Sequence, residues 1–364
     1  MSHSWNFGYA MPNAGFTEPV ENDFLAIVPS SDDRWKRIAK TSVAARLLRD
    51  RFTDQFARPV KPCALLIRAD APKDVEFYAV VCFRNAVAIS SIVDGMCWHL
   101  DRGMGHHPLW TDYFDFYPYT ASTDSDNLIG RSIALTSYHS ADSFHGQKAP
   151  HLPTSRLSHF GIDAYVFEPC MVLWRRWFVG GKTDWATRAI FRSLEIACQA
   201  ARMPAIGTRT PTIHDVGVSI ALWVSALEIL SHPRNANANL GTVLAILNNA
   251  TWLDWRLRAT RYTITSNKAT KKVNLVEKLC RELYRARNDF LHGNPVKRAS
   301  LYLRSRVSDA SLVHAAPLVY RAALVSKLPG SPPSPNSLAF EDIAAYIDRT
   351  AVQNRYERAL LNCR

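Results

Sequence analysis

The chain contains no C-x-x-C pair, no apolar leader-like stretch near residue 1 and no uninterrupted apolar run of about 18 residues. Each absence excludes something. Its seven cysteines (Cys63, Cys82, Cys97, Cys170, Cys198, Cys280 and Cys363) are odd in number and mostly sit in apolar runs. That pattern argues against a disulfide framework or a zinc site and for reduced, buried thiols in a cytoplasmic protein. Without an apolar h-region no secretory leader is expected, and without a long apolar run no membrane-spanning helix is expected. Glycine is sparse where cofactor loops need it. Gly103-Met104-Gly105 lacks the strand-then-helix setting and third glycine of a dinucleotide fingerprint. Neither a P-loop nor a G-x-S-x-G elbow occurs, so no organic cofactor is expected.

Acidic residues are also in short supply, 32 against 44 Lys and Arg, which leaves a formal charge of +12. Such a balance points to an anionic partner, nucleic acid before an acidic protein or a membrane surface. The 364 residues suffice for about two domains.

The periodicity of apolar residues predicts an α+β fold. Residues 1–30, with Pro12, Pro19 and Pro29, read as an irregular lead-in, and residues 34–56 as one or two amphipathic helices. Residues 63–67, 75–83, 132–138 and 164–167 read as strands, residues 86–92 as strand or helix, and residues 101–130 as loop. From residue 183 onward helix follows helix. Helices are expected over 183–202 (capped by Thr183 or Asp184), from about Asp215 to Pro233, over 240–253, from about Lys271 to Gly293, over 310–328 and over 339–361. Residues 205–211 and 329–335 read as loops. This divides the chain into an α+β domain of unknown role, residues 1–178, and a helical domain, residues 179–364.

The helix expected after Lys271 ends in Leu283-Tyr284-Arg285-Ala286-Arg287-Asn288-Asp289-Phe290-Leu291-His292-Gly293. Leu283, Arg287 and Leu291 are four apart and share a stripe, so Arg287 is expected on the buried side. An unpaired buried arginine is costly, and either an internal acid such as Glu228 or an anion at an interface would offset it. Asn288 and His292, also four apart, lie on a neighbouring face. Arg287-Asn288-Asp289-Phe290-Leu291-His292 resembles the R-x4-6-H motif of the HEPN superfamily in its R-N-x-x-x-H form. Residues 183–204 and 216–231, the latter with Ala226-Leu227-Glu228, resemble preceding helices of its ApeA-like branch, and the resemblance spans about residues 180–330.

That resemblance implies a metal-independent ribonuclease acting as a homodimer, with motifs meeting across the interface. It implies His292 as acid/base, Arg287 as phosphate ligand and Asn288 as an orienting group, with Tyr284 and Glu228 in support. It also implies a role in anti-phage defence or toxicity, with the N-terminal region recognising a trigger or substrate. Some members are non-catalytic RNA-binding or dimerisation modules, which is the alternative expectation. The local charge agrees with an RNA partner: residues 251–300 hold twelve Lys and Arg against four acids. Lys271, Lys272, Arg281, Arg285, Lys297 and Arg298 are the expected RNA contacts. His99, Asp101, His106 and His107 cluster without standard zinc spacing, and no metal is assigned to them.

Overall fold

The computed structural model describes residues 4–54, 56–102, 108–122, 126–131, 134–145, 147–148, 160–203, 212–266, 269–303, 310–329 and 343–364. The fold is α+β and separates into two compact units, Met1–Arg84 with Trp110–Phe160, and Asn85–Leu109 with Gly161–Arg364. The second unit thus takes Asn85–Leu109 and the segment from residue 161, whereas the sequence suggested a single cut after residue 178. His106, His107 and the expected loops at 205–211 and 330–335 lie outside the described residues.

The first unit is built on a four-stranded antiparallel sheet. Its strands are β1 (Trp5–Met11), β2 (Val20–Glu21), β3 (Leu25–Pro29) and, later in the chain, β5 (Cys63–Arg68), in the order β1-β5-β3-β2. Residues 1–30 are therefore not an irregular lead-in. Their prolines stand at a strand end or between strands, where a missing N–H costs no ladder bond. Helices α1 (Asp33–Thr41) and α2 (Val43–Asp50) follow as expected, each with a side-chain N-cap, Asp32 and Ser42. Trp35 of α1 is fully buried with Ala26, Val28, Ala64 and Leu66 of the sheet. A short strand β4 (Phe52–Thr53) precedes β5.

Helix α3 (Phe77–Arg102) begins in the first unit and ends in the second. It overturns the strand expected at 75–83. Valine and aromatic residues there pack as a helix that is apolar nearly all round, a pattern in which the helical period is lost. The first unit is completed by β6 (Tyr119–Ala121), β7 (Asn127–Arg131) and β8 (Thr136–Ser140), an antiparallel sheet, and by β9 (Gln147–Lys148), paired parallel with β4. Strands β6 and β7 replace part of the loop expected over 101–130.

The second unit is helical. Helix α4 (Ala164–Phe178) starts where a strand was expected at 164–167, because Asp163 caps it, accepting from the Tyr165 amide at 3.0 Å. Helices α5 (Trp185–Ala200) and α6 (Ile213–Ser231) pack closely. The Ser193 hydroxyl donates to the Ala226 carbonyl at 2.8 Å and Ser219 to Ala200 at 2.7 Å, so small side chains draw the backbones together. Asp184 caps α5 as expected. Thr212 caps α6, with Asp215 closing the capping box from the third position. Next come α7 (Leu240–Asn248), α8 (Trp255–Ala259) and the antiparallel hairpin β10 (Tyr262–Ser266) and β11 (Ala269–Val273). Then follow α9 (Leu275–Leu291), α10 (Leu312–Val325) and α11 (Ile343–Leu361).

Helix α6 touches α5, α7, α9 and α10 and forms the centre of this unit. Phe77–Asp101 and Ile213–Ser231 are long and apolar enough, by length and composition, to cross a membrane. The first lies 89% buried within the protein, as a core helix does, and the second 44%. Scattered polar residues interrupt the apolar runs of both, so neither stands out as an unbroken apolar stretch. Two buried carboxylates are paired with arginines: Asp163 with Arg321, whose guanidinium lies 3.9 Å from the Tyr356 ring, and Asp94 with Arg355 at 2.8 Å.

Candidate nucleic-acid interface

Helix α9 carries the R-N-x-x-x-H stretch, and its two ends are fixed by local chemistry. At the start, the Asn274 side chain accepts from the Glu277 amide and Glu277 from the Asn274 amide, both at 2.9 Å. This capping box starts the helix at Leu275, so Lys271 and Lys272, expected in the helix, lie in β11. The Asn274 side-chain Nδ2 donates to the Leu247 carbonyl at 3.1 Å, tying this end to α7. At the far end His292 is the C-cap, its N–H donating to the Asn288 carbonyl at 2.9 Å. Gly293 takes a left-handed φ of 71°, and the Asn294 amide returns to the Asp289 carbonyl at 2.9 Å. This is a Schellman closure, and the glycine permits it.

Between those ends, Leu275, Val276, Leu279, Cys280 and Leu283 fill the core. Each such burial contributes about 1.5–3 kcal/mol. Burial pushes the Cys280 thiol up to about 12, which makes it an inert packing group. Helices α6 and α9 run antiparallel. Glu228, near the end of α6, acts electrostatically on Cys280 and Tyr284, while Gly217, near its start, lies against Phe290. A Cβ at Gly217 would sit 2.5 Å from the Phe290 ring, so the missing side chain lets the end of α9 close on α6.

The expected site residues fall into three environments. Tyr284 is buried. Burial first, then the Glu228 carboxylate, hold its phenol well above the ordinary range, and Arg287 acts in the opposite direction. Tyr284, Glu228 and Arg287 thus form one electrostatic neighbourhood, although Tyr284 has no hydrogen bond of ordinary geometry. Arg287 is half-buried. Its Nη1 donates to the Asn288 side-chain oxygen at 3.0 Å, while its Nε is buried without a hydrogen-bond partner. Among the described residues Arg287 forms no ion pair. The stripe expected to be buried leaves the core along its length: Leu283 is sealed, Arg287 half-buried and Leu291 59% exposed. Asn288 and His292 are exposed. The end of α9 thus presents an amide, an imidazole and an unpaired guanidinium at the surface of the unit.

A trough with a volume of about 710 Å³ runs beside this stretch, between β10 and α9. Arg281, Tyr284, Arg285 and Asn288 line it from the helix, and Tyr262, Thr263 and Ile264 from the hairpin. Of the six expected RNA contacts, it gathers Arg281 and Arg285. Lys271 and Lys272 are exposed one strand away on β11, opposite Ile264 and Thr263 in the register. Lys297 and Arg298 are exposed beyond Gly293, Arg298 donating to the Tyr302 hydroxyl at 3.3 Å. Arg285 also lines a second hollow of about 370 Å³ with Val296 and Ser300. Sequence reasoning missed Lys278 and the hairpin wall. The alternation of Tyr262-Thr263-Ile264-Thr265 was the available signal for a strand. The chain matches no family model, no curated protein and no solved structure.

Proposed function

We propose that this chain is a metal-independent endoribonuclease of the HEPN type. One observation carries the reading: a half-buried Arg287, hydrogen-bonded to Asn288 and without an ion pair among the described residues, stands five residues before an exposed His292 on the same helix end. An arginine held without an acid retains its capacity to bind an anion. In the proposed reaction a histidine takes the proton of the RNA 2′-hydroxyl, and that oxygen attacks the adjacent phosphorus. The bond from phosphorus to the 5′-oxygen breaks as a second histidine donates a proton to the leaving oxygen. The products are a 2′,3′-cyclic phosphate and a free 5′-hydroxyl. His292 from each of two copies supplies the two roles, since imidazole is the side chain suited to both near neutral pH. Arg287 stabilises the charge on the phosphorane oxygens, and Asn288 orients the phosphate. Tyr284 and Glu228 position Arg287 from beneath, and Lys271, Lys272, Lys297 and Arg298 face the flanking RNA.

Homodimerisation through the helical unit is supported by the apolar side chains left open near the motif, Leu291 at 59% and Val218 at 61% exposure. We assign the protein to the cytoplasm, in anti-phage defence or as a toxin, with the first unit recognising a trigger or substrate. A second reading, an RNA-binding or dimerisation module without cleavage, is favoured by the placement of Asn288 in the basic trough without Arg287 or His292.

Cleavage of RNA by the parent protein and by Arg287→Ala and His292→Ala separates the two. The enzyme reading expects each variant to lose about 10²–10⁴-fold in rate with unchanged folding, parent products ending in cyclic phosphate, and no effect of EDTA. Cleavage by both variants at the parent rate refutes it. Retention of RNA without cleavage by the parent selects the binding module.

A further inference from the structure

The trough has a second property that the motif does not explain. Two carboxylates line it, and both are engaged: Glu282 lies 3.7 Å from the Lys278 ammonium, and Asp289 accepts from the Asn294 side chain at 3.0 Å. Lys278 is further occupied by the Tyr262 ring, 5.0 Å from its nitrogen. Arg281 and Arg285 are not so engaged. Neither forms an ion pair among the described residues, and the Arg281 Nε is buried without a hydrogen-bond partner. The trough therefore holds two guanidiniums that form no ion pair among the described residues, beside one acid already paired with Lys278 and a second that accepts an amide hydrogen bond.

Their spacing is informative. Arg281 and Arg285 are one helical turn apart, about 5–6 Å between Cβ atoms, on the same face of α9. The lining residues from Lys278 to Asp289 extend for about 16 Å along the helix at 1.5 Å per residue. The opposite wall is apolar where it meets the hairpin and α7, through Ile264 and Leu240. A cationic side facing an apolar side suits a chain that carries charge along one edge and flat, apolar-faced groups along the other. A single-stranded nucleic acid has that character. A duplex does not, because its bases are stacked inside and unavailable to the apolar wall.

We propose that the trough between β10 and α9 is a track for a single RNA strand. In it Arg281 and Arg285 take two phosphates beyond the one at the motif, and Ile264 and Leu240 support the unstacked bases. The strand enters the motif past Asn288, the residue common to trough and motif. The hairpin is then a substrate-binding wall. This rests on the ribonuclease reading for the phosphate it continues from, but the binding site it describes is testable without cleavage.

The test is fluorescence anisotropy of a short labelled 2′-O-methyl RNA, which cannot undergo attack by its own 2′-oxygen. Binding by the full chain is compared with Arg281→Gln, Arg285→Gln, the double variant and Ile264→Glu over a range of salt concentrations. Each single Arg variant is expected to weaken binding about tenfold. The double variant is expected to flatten the slope of log affinity against log salt by about 1.4, since each phosphate contact to a single strand contributes about 0.7. Ile264→Glu is expected to weaken binding at least as much, and the blunt duplex of the same sequence to compete poorly. Arg188→Gln, on the exposed face of α5, is the control and is expected to bind as the parent does. Arg285 is exposed, so its replacement leaves the core intact and keeps the test decisive if Arg281→Gln unfolds. Parent-like binding by Arg285→Gln and Ile264→Glu, equal competition by duplex, or no binding by the parent overturns the track. Because the probe is uncleavable, loss of nuclease activity in Arg287→Ala or His292→Ala bears on the catalytic reading and leaves this one standing.

Discussion

Replacing Gly217 by alanine isolates the contact that sets the end of α9 against α6. In most helix interiors this change stabilises by about 0.5–1 kcal/mol, because alanine loses less backbone entropy on folding. Here the added Cβ falls 2.5, 2.6 and 2.8 Å from three atoms of the Phe290 ring. Ordinary carbon contacts begin near 3.5 Å, so the ring must retreat by about 1 Å. Phe290 lies in the middle of Arg287-Asn288-Asp289-Phe290-Leu291-His292, and its retreat carries the last turn of α9 outward. Overpacking of this kind costs about 1–3 kcal/mol. Set against the helix-propensity gain, the net expectation is a loss of about 1 kcal/mol, which is about 2–4 °C in Tm for a unit of this size. Thermal unfolding followed by circular dichroism measures it. The double variant Gly217→Ala with Phe290→Leu supplies the cycle, because a smaller side chain at 290 relieves the clash and should return most of the loss. A Gly217→Ala protein that melts higher than the parent, by the amount propensity alone provides, refutes the argument that this glycine exists to admit the ring.

Two further expectations concern the helical unit. Asp163→Ala leaves Arg321 charged, buried and unpaired and removes the cap of α4, so it should destabilise by about 3–5 kcal/mol in urea unfolding. A parent-like midpoint would show that the pair contributes little. His314 lies 5.1 Å from His99, ring to ring, and burial first, then the His99 charge, lower its titration to about 4. Its folded value is depressed relative to about 6.5 when unfolded, so its contribution is present above pH 6.5 and lost as pH falls toward 4. The loss should approach about 2–3 kcal/mol. His314→Gln should flatten the stability profile over that window, and an unchanged slope would contradict the assignment.

How much of this was legible beforehand depends on the distance over which each feature is decided. Helices α5, α6 and α10 announce themselves by their period, and α5 also by its cap Asp184; the caps Thr212 and Ser311 of the other two emerge only in the structure. Helix α3 hides its period because nearly every face from Ala79 to Cys97 is buried, so valine and aromatic content reads as strand. Strands β1 to β3 hide behind prolines that are harmless at strand ends. Pro169 and Pro317, by contrast, lie within α4 and α10.

The candidate site divides in the same way. Arg287, Asn288 and His292 share one helix end, so the sequence alone determines their mutual spacing, through the four-residue step and the Gly293 closure. It also determines the local excess of positive charge, which composition fixes whatever the fold. Tertiary structure decided what surrounds them. Whether Arg287 meets an acid depends on where α6 places Glu228, and Glu228 acts on Tyr284. Which cations act together depends on a hairpin that separates Lys271 and Lys272 from Arg281 and Arg285. Spacing along one helix is a local property of backbone geometry, whereas a trough is made by two segments meeting, and only the packed chain sets that meeting.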